Sequence, residues 1–247
     1  MKSYPLLRYL PLSLLLTCLL AGCRTSVPSP SRSTAYFGLT QSMHQWRLPH
    51  GHWKEVGQVS LKETDDKAFQ LEGGKGVFLN HPSGGTSNLT SHVQHGDVSM
   101  HVEFNVPKGS NSGVYLQGRY EVQVLDSWGK AEVQHSDCGG IYQRWIDQQG
   151  VEGRAPRINA SLPPGAWQSF DIVFRAPRFD ETGGKTENAR FLKVIHNGVV
   201  IHENIQLSGP TRAASFNDEQ AMGPLMLQGD HGPVAFRNIL IRPLSLD

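Results

Sequence analysis

From Val98 to Val106 the chain alternates without a break, with Val98, Met100, Val102, Phe104 and Val106 on one side and Ser99, His101, Glu103 and Asn105 on the other. Successive side chains of an extended chain point to opposite faces, so this is a half-buried strand, and Pro107 ends it. The same period recurs at 167–175, where Phe170, Ile172 and Phe174 share a face, and at 190–196 and 199–202, which flank Asn197-Gly198, a strong two-residue hairpin signal. Shorter strands are expected at 56–61, 77–80, 225–228 and 233–243, with 81–97 (HPSGGTSNLTSHVQHGD) as a long polar loop and one helical turn at 217–222.

The stretch 109–126, GSNSGVYLQGRYEVQVLD, reads as a hairpin with arms 114–117 and 119–125, turning at Gly118. On its second arm Arg119, Glu121, Gln123 and Leu125 share one face, while Tyr120, Val122, Val124 and Asp126 share the other. If the aliphatic face is buried, a cation, a carboxylate and a carboxamide follow one another about 7 Å apart, from roughly 3.3 Å per residue. A solvated polar strand face has the same pattern, so the row alone does not establish a site.

About ten strands at this spacing, with turns supplied by 26 glycines and 15 prolines, predict an all-β protein: two packed antiparallel sheets in a jelly-roll sandwich. Periodicity at 3.6 residues is nowhere sustained.

Residues 1–23 stand apart. Lys2 and Arg8 precede an apolar run at 10–20, too short to cross a membrane and of the length of a signal-peptide core. The run ends Leu20-Ala21-Gly22-Cys23, which resembles a bacterial lipobox and implies cleavage before Cys23 and lipidation of its thiol. The expectation is an exported protein, held to the cell envelope through that lipid, with Arg24 favouring an outer membrane over an inner one. A Ser- and Pro-rich tether follows within 24–35, and a single domain runs over 36–247. Removing Lys2 and Arg8 turns 23 basic and 22 acidic residues into 21 and 22, a balance that leaves no electrostatic footprint for nucleic acid. With Cys18 and Cys23 spent, Cys138 is alone; no disulfide framework exists, and a small buried hydrophobe is the expected role.

Four polar clusters stand out: 111–113, 119–126, 137–145 and 227–238. A glycosidase needs two carboxylates about 5–10 Å apart, but Glu121 is followed on its own face by Gln123 and Leu125, and Asp126 falls on the other. One carboxylate among amides, an arginine and a histidine fits better with proton abstraction beside a carbonyl, which needs a base and donors for the enolate. His231, between Asp230 and Gly232, is a second candidate; Gly229 and Gly232 around it imply close backbone approach. His92 and His95 read as surface histidines. No HExxH motif, paired-cysteine spacing or Asp-rich loop marks a metal site; no cofactor is required, and a divalent cation is compatible with the sequence. Tyr115, Trp128, Tyr142 and Trp145 are candidates for stacking on a sugar ring, or for core packing.

The blocks GSNSGVYLQGRYEVQVLDS, DCGGIYQRW, PPGAWQSFDIVFRAPRFD, HNGVVIHEN and GPLMLQGDHGPVAFRNILIRPL, in this order, resemble the 3-keto-disaccharide hydrolase domain family, also described as 3-keto-glucoside 1,2-lyase/3-keto-2-hydroxy-glucal hydratase. The resemblance runs from about Trp46 to the end. It implies a concanavalin-like jelly roll, often lipid-anchored or periplasmic, that cleaves glycosides oxidised at C3 by removing the C2 proton, eliminating the C1 substituent and hydrating the enone. It assigns acid/base roles to Glu121 and His231, without deciding which takes the C2 proton. Contacts to the sugar fall to Arg119, Gln123 and Gln228, with Asn111 and Asp126 at the rim, and Tyr142 and Trp145 as further substrate contacts. Arg237 and Asn238 suit a structural role as well. A lectin-like module that binds carbohydrate without turnover is the competing expectation.

Overall fold

The structure, a computed structural model, describes residues 37–39 and 42–246. The signal segment, Cys23 and the tether lie outside the described residues.

Sixteen strands follow in chain order: β1 (Phe37–Gly38), β2 (Lys54–Lys62), β3 (Asp65–Leu79), β4 (Leu89–His95), β5 (Val98–Asn105), β6 (Asn111–Leu116), β7 (Tyr120–Leu125), β8 (Arg144–Ile146), β9 (Gln149–Val151), β10 (Gln168–Arg175), β11 (Arg178–Phe179), β12 (Lys185–Glu187), β13 (Ala189–His196), β14 (Val199–Leu207), β15 (Gly223–Leu227) and β16 (Ala235–Pro243). They form an antiparallel jelly-roll sandwich. The eight-stranded sheet runs β14-β13-β10-β5-β16-β3-β2, with β1 also pairing with β16; the four-stranded sheet runs β4-β15-β6-β7. Two small hairpins, β8-β9 and β11-β12, stand outside them.

The alternation of β5 sends Val98, Met100, Val102 and Phe104 into the space between the sheets, where Phe170, Ile172 and Phe174 of β10 and Val114, Leu116, Tyr120, Val122 and Val124 of the β6-β7 hairpin meet them. On the outer face of the large sheet, Glu103 accepts from Arg237 Nε at 2.6 Å and from Asn238 Nδ2 at 2.8 Å, so both residues of the FRN block serve the sheet.

Three expectations are corrected. Residues 89–95, read as loop, form β4; its buried positions include Ser91 and His95, polar residues that hide the period. His95, read as a surface histidine, is buried: its Nδ1 donates to the Gly96 carbonyl at 2.9 Å, and its Nε2 accepts the Gln117 N–H at 3.1 Å. Residues 217–222 form no helix, because their side chains tie outward: Asp218 to Arg119, and Glu219 to the Tyr120 hydroxyl at 2.6 Å. Among the described residues the one helix is a 3-10 turn, Met43–Gln45. Cys138 is buried, as expected, and burial pushes its thiol up to about 12.

Candidate functional site

The β6-β7 hairpin turns on two successive left-handed residues, Gln117 (φ 55°) and Gly118 (φ 64°), closed by the Arg119 N–H on the Leu116 carbonyl at 3.0 Å. Its register pairs Asn111 with Leu125, Gly113 with Gln123 and Tyr115 with Glu121. With Val114, Val122 and Val124 committed to the core, these partners share the outer face of the small sheet. Gln228 joins them from just beyond the end of β15, its N–H on the Gly113 carbonyl at 2.9 Å.

The free edge of β7 is covered by two irregular segments. Gly139 N–H donates to the Gln123 carbonyl at 2.8 Å, Gln123 N–H to the Gly140 carbonyl at 2.9 Å, and Tyr142 N–H to the Glu121 carbonyl at 3.3 Å. Next to them Thr211 binds three times: its N–H and its hydroxyl reach the Arg119 carbonyl at 2.9 and 3.0 Å, and its Oγ1 accepts the Glu121 N–H at 3.2 Å. These segments rise beside the polar face and wall a cavity of about 340 Å3, lined by Asn111, Tyr115, Glu121, Gln123, Tyr142, Arg212, Ala213, Gln228 and His231. That volume lies at the lower end of the roughly 300–1,000 Å3 usual for small-molecule sites.

Glu121 is 2% exposed and is the one carboxylate in this lining. Its carboxyl group occupies the space left by Gly113, where a Cβ would stand 2.2 Å from Glu121 Oε1. Burial pushes its pKa up to about 8; a hydrogen bond from Tyr115 works against that rise, and the charge of Asp230 adds to it. The Tyr115 hydroxyl is itself held far above its ordinary range by burial and by the neighbouring carboxyl, so it remains a donor. His231 is half exposed at the mouth. Its Nδ1 meets Asp230 Oδ1 at 2.6 Å, which leaves Nε2 to face a ligand. The turn carrying it is fixed from below: Asn80 Nδ2 donates to the Gly229 and Gly232 carbonyls, and Gly85 N–H donates to the His231 carbonyl at 2.6 Å. A Cβ on Gly232 would come within 2.4 Å of Ser110 Oγ, so the flanking glycine does permit a close approach. Gln123 Nε2 donates to Asn111 Oδ1 at 2.7 Å, orienting both amides at one wall.

Seven of the residues singled out from the sequence therefore line one cavity: Glu121, His231, Asn111, Gln123, Gln228, Tyr142 and Tyr115. Four do not, among them Trp128, an exposed side chain outside the lining. Arg119 has the parity of Glu121, but it is turned away and consumed: Nε donates to the Asp218 carbonyl at 2.7 Å, Nη1 to the Gln117 carbonyl at 2.9 Å and Nη2 to Asp218 Oδ1 at 2.7 Å, with Phe216 under the guanidinium. Asp126 accepts the Gly109 N–H at 2.9 Å and shapes the approach to β6. Trp145 lines a neighbouring cavity. Arg212 and Ala213, which the sequence did not mark, complete the lining; they sit in the irregular GPTRAAS stretch, where no periodicity reports a direction. Among the described residues no group of three or more His, Cys, Asp or Glu side chains is placed to hold a metal ion.

A jelly-roll sandwich whose outer sheet face carries one desolvated carboxylate and a ring of amide and hydroxyl groups, with a histidine–aspartate pair on the loop at its mouth, agrees with the carbohydrate-active class to which the family match assigns the chain. The chain belongs to the 3-keto-alpha-glucoside-1,2-lyase-like domain family, whose pattern it matches over residues 40–242. Among solved structures it is similar to a candidate glycosyl hydrolase from Parabacteroides distasonis, at 29% identity and TM-score 0.57, over 85% of this chain and 84% of that one. A second candidate glycosyl hydrolase from the same organism shares the fold at 18% identity and TM-score 0.56, over 85% of this chain and 100% of that one. A comparison with curated proteins found no matching sequence.

Proposed function

We propose that this protein cleaves glycosides oxidised at C3 by elimination followed by hydration, with Glu121 as the base. The observation that carries the reading is a buried carboxyl whose pKa is raised to about 8, alone among amide, hydroxyl and imidazole groups in a sugar-sized cavity. A ketone at C3 acidifies the C2 proton. Glu121 takes that proton, the C2–H electrons form the C1–C2 double bond conjugated to the ketone, and the C1–O bond breaks. His231, held through Nδ1 by Asp230, gives the departing oxygen its proton from Nε2. Water then adds at C1, losing a proton to His231, and C2 regains a proton from Glu121, so the sum is hydrolysis. Negative charge on the ketone oxygen is met by the amides of Gln123, Asn111 and Gln228, while the Tyr115 hydroxyl stays on the Glu121 carboxyl.

The test is product analysis with a 3-keto-glucoside. Turnover with a trapped 2-hydroxy-3-keto enone is the expected result, and Glu121→Gln lowers it by about 10²-fold or more. A variant that keeps full activity removes Glu121 from the mechanism. Tight binding of unoxidised glycans with no turnover of any 3-keto sugar would make the protein a lectin-like module instead.

A further inference from the structure

A second cavity of about 440 Å3 adjoins the first and shares two of its lining residues, Arg212 and Ala213. Its lining includes two guanidinium groups, those of Arg144 and Arg212, and no carboxylate. We propose that this cavity is an oxyanion site, which takes a carboxylate, sulfate or phosphate group carried on the C1 substituent of the oxidised glycoside. The assignment rests on the elimination reading above and adds a negative charge to its leaving group.

Arg212 is the group that selects for charge. Its guanidinium lies 4.1 Å from the Trp145 ring centroid, a contact that holds the cation by its face. Such a contact consumes no N–H, and among the described residues Arg212 has neither an ion pair nor a side-chain hydrogen bond. Its in-plane donors are therefore free for two parallel bonds to one oxyanion, a geometry that an ammonium or an amide does not reproduce. The backbone beneath is anchored: Arg212 N–H donates to the Gln143 carbonyl at 2.8 Å, and the preceding Thr211 is tied to the Arg119 carbonyl and the Glu121 N–H. The cation thus rises from a segment bonded to the strand that carries the reacting carboxyl.

Charge balance points the same way. Arg144 is seated over Gly209, where a Cβ would stand 2.5 Å from Nη2, and its Nη1 donates to Ser208 Oγ and lies 3.8 Å from Glu152 Oε2. Its Nε is buried without a partner, so the protein satisfies this guanidinium only in part. The carboxylates on the adjoining segments are already committed: Glu152 to Arg144 and Ser208, Asp218 to Arg119, and Glu219 to Lys185 and the Tyr120 hydroxyl. Arg212 is left as the cation of this wall without a counter-charge, and Asn217 adds an amide donor. A neutral leaving group leaves that charge unmatched, whereas an anionic one completes it.

The experiment measures kcat/KM for the 4-carboxyphenyl and 4-carbamoylphenyl 3-keto-glucosides, isosteres that differ in one charge, with the wild type and Arg212→Gln. Calorimetry follows binding of the two unoxidised glucosides to both proteins, with and without inorganic sulfate at constant ionic strength. The expected result is a wild-type preference for the carboxylate of about 10-fold or more in kcat/KM and in binding, reduced to near unity in the variant. Sulfate is expected to weaken binding of the carboxylate glucoside alone, as a competitor for its site. A wild type that does not distinguish the two glucosides overturns the proposal, as does a preference that survives in Arg212→Gln. Sulfate that binds equally well beside the carboxylate glucoside would make the site one for a free anion and overturn its link to the substrate. If neither 3-keto-glucoside is turned over while the wild type alone keeps the binding preference, the elimination reading falls and the oxyanion site stands. Absence of both turnover and binding preference removes both assignments.

Discussion

Glu121 sits where its carboxyl costs the fold something, and that cost makes the base role proposed for it measurable. With a pKa near 8 the carboxyl is mostly protonated at neutral pH, so a base function predicts kcat/KM that climbs roughly tenfold per pH unit below about pH 8 and levels above it. An acid function predicts the opposite limb, a fall above pH 8; a rate profile from pH 6 to 9 on the 3-keto-glucoside separates the two. The carboxyl is positioned by an absent atom, since Gly113, the partner of Gln123 in the next pair of the register, leaves it room and any Cβ at 113 would displace it. Gly113→Ala is expected to lower kcat/KM by about 10²-fold through misplacement while leaving the melting transition cooperative. Activity close to wild type in that variant would show that the carboxyl can move without penalty. Period-two parity made Glu121 and Gln123 legible from the sequence, and the histidine came with its glycines. Arg212 was not legible, because only tertiary contacts bring that irregular segment to β7.

At the scale of elements, the hairpin and its covering segments divide the labour. β6 and β7 present the polar face, the 139–142 segment and Thr211 complete the edge of β7, and Arg119 clamps the 216–218 segment over the hairpin's turn. Parity put Arg119 beside Glu121, yet at the turn the crossing chain decides what a side chain meets, and here it offers a carbonyl and a carboxylate. Arg119→Ala is therefore expected to lower stability by about 1–3 kcal/mol, the cost of losing the packing of a buried arginine and of leaving the Gln117 carbonyl without its donor, with KM for the 3-keto-glucoside changed less than threefold. Urea unfolding and steady-state kinetics check the pair of outcomes; a large rise in KM with unchanged stability would return Arg119 to the sugar. The strands themselves divide the same way. β5, β10 and the Asn197-Gly198 reversal were readable because apolar residues fill their inner positions, whereas β3 was read at its apolar end alone. The rest of its 15 residues carry charges and glycines, and Gly57 and Gly74 let the β2-β3 backbones approach so closely that a Cβ on either would collide.

Across the whole molecule, buried titratable groups set opposing pH limits on the sandwich. His95, His196 and His202 are all held neutral, with burial lowering each to about 4. Their folded pKa lies below the ordinary value of 6.5, so the stability tied to their neutral form is present above pH 6.5 and is lost as pH falls towards 4. At His95 the loss is structural, because the protonated ring can no longer accept the Gln117 N–H that supports the hairpin turn; His202, on β14 of the large sheet, keeps its bond to the Gly139 carbonyl when protonated, and its cost is that of a charge held in a buried place. Glu121 has the opposite sign. Its folded pKa is raised above the ordinary 4.5, so the stability of its neutral form is present below pH 4.5 and is lost as pH rises through about 8. Thermal melts from pH 4 to 9 should show a maximum between these limits. Glu121→Gln should then melt with the wild type near pH 4.5 and above it at pH 8, because a neutral amide removes the desolvation cost that grows on the alkaline side. A variant that tracks the wild type across the whole range would mean that the carboxyl ionises at its ordinary pH, and a base with a pKa near 4.5 would have to abstract the C2 proton with far less driving force than the elimination proposed here assigns to it.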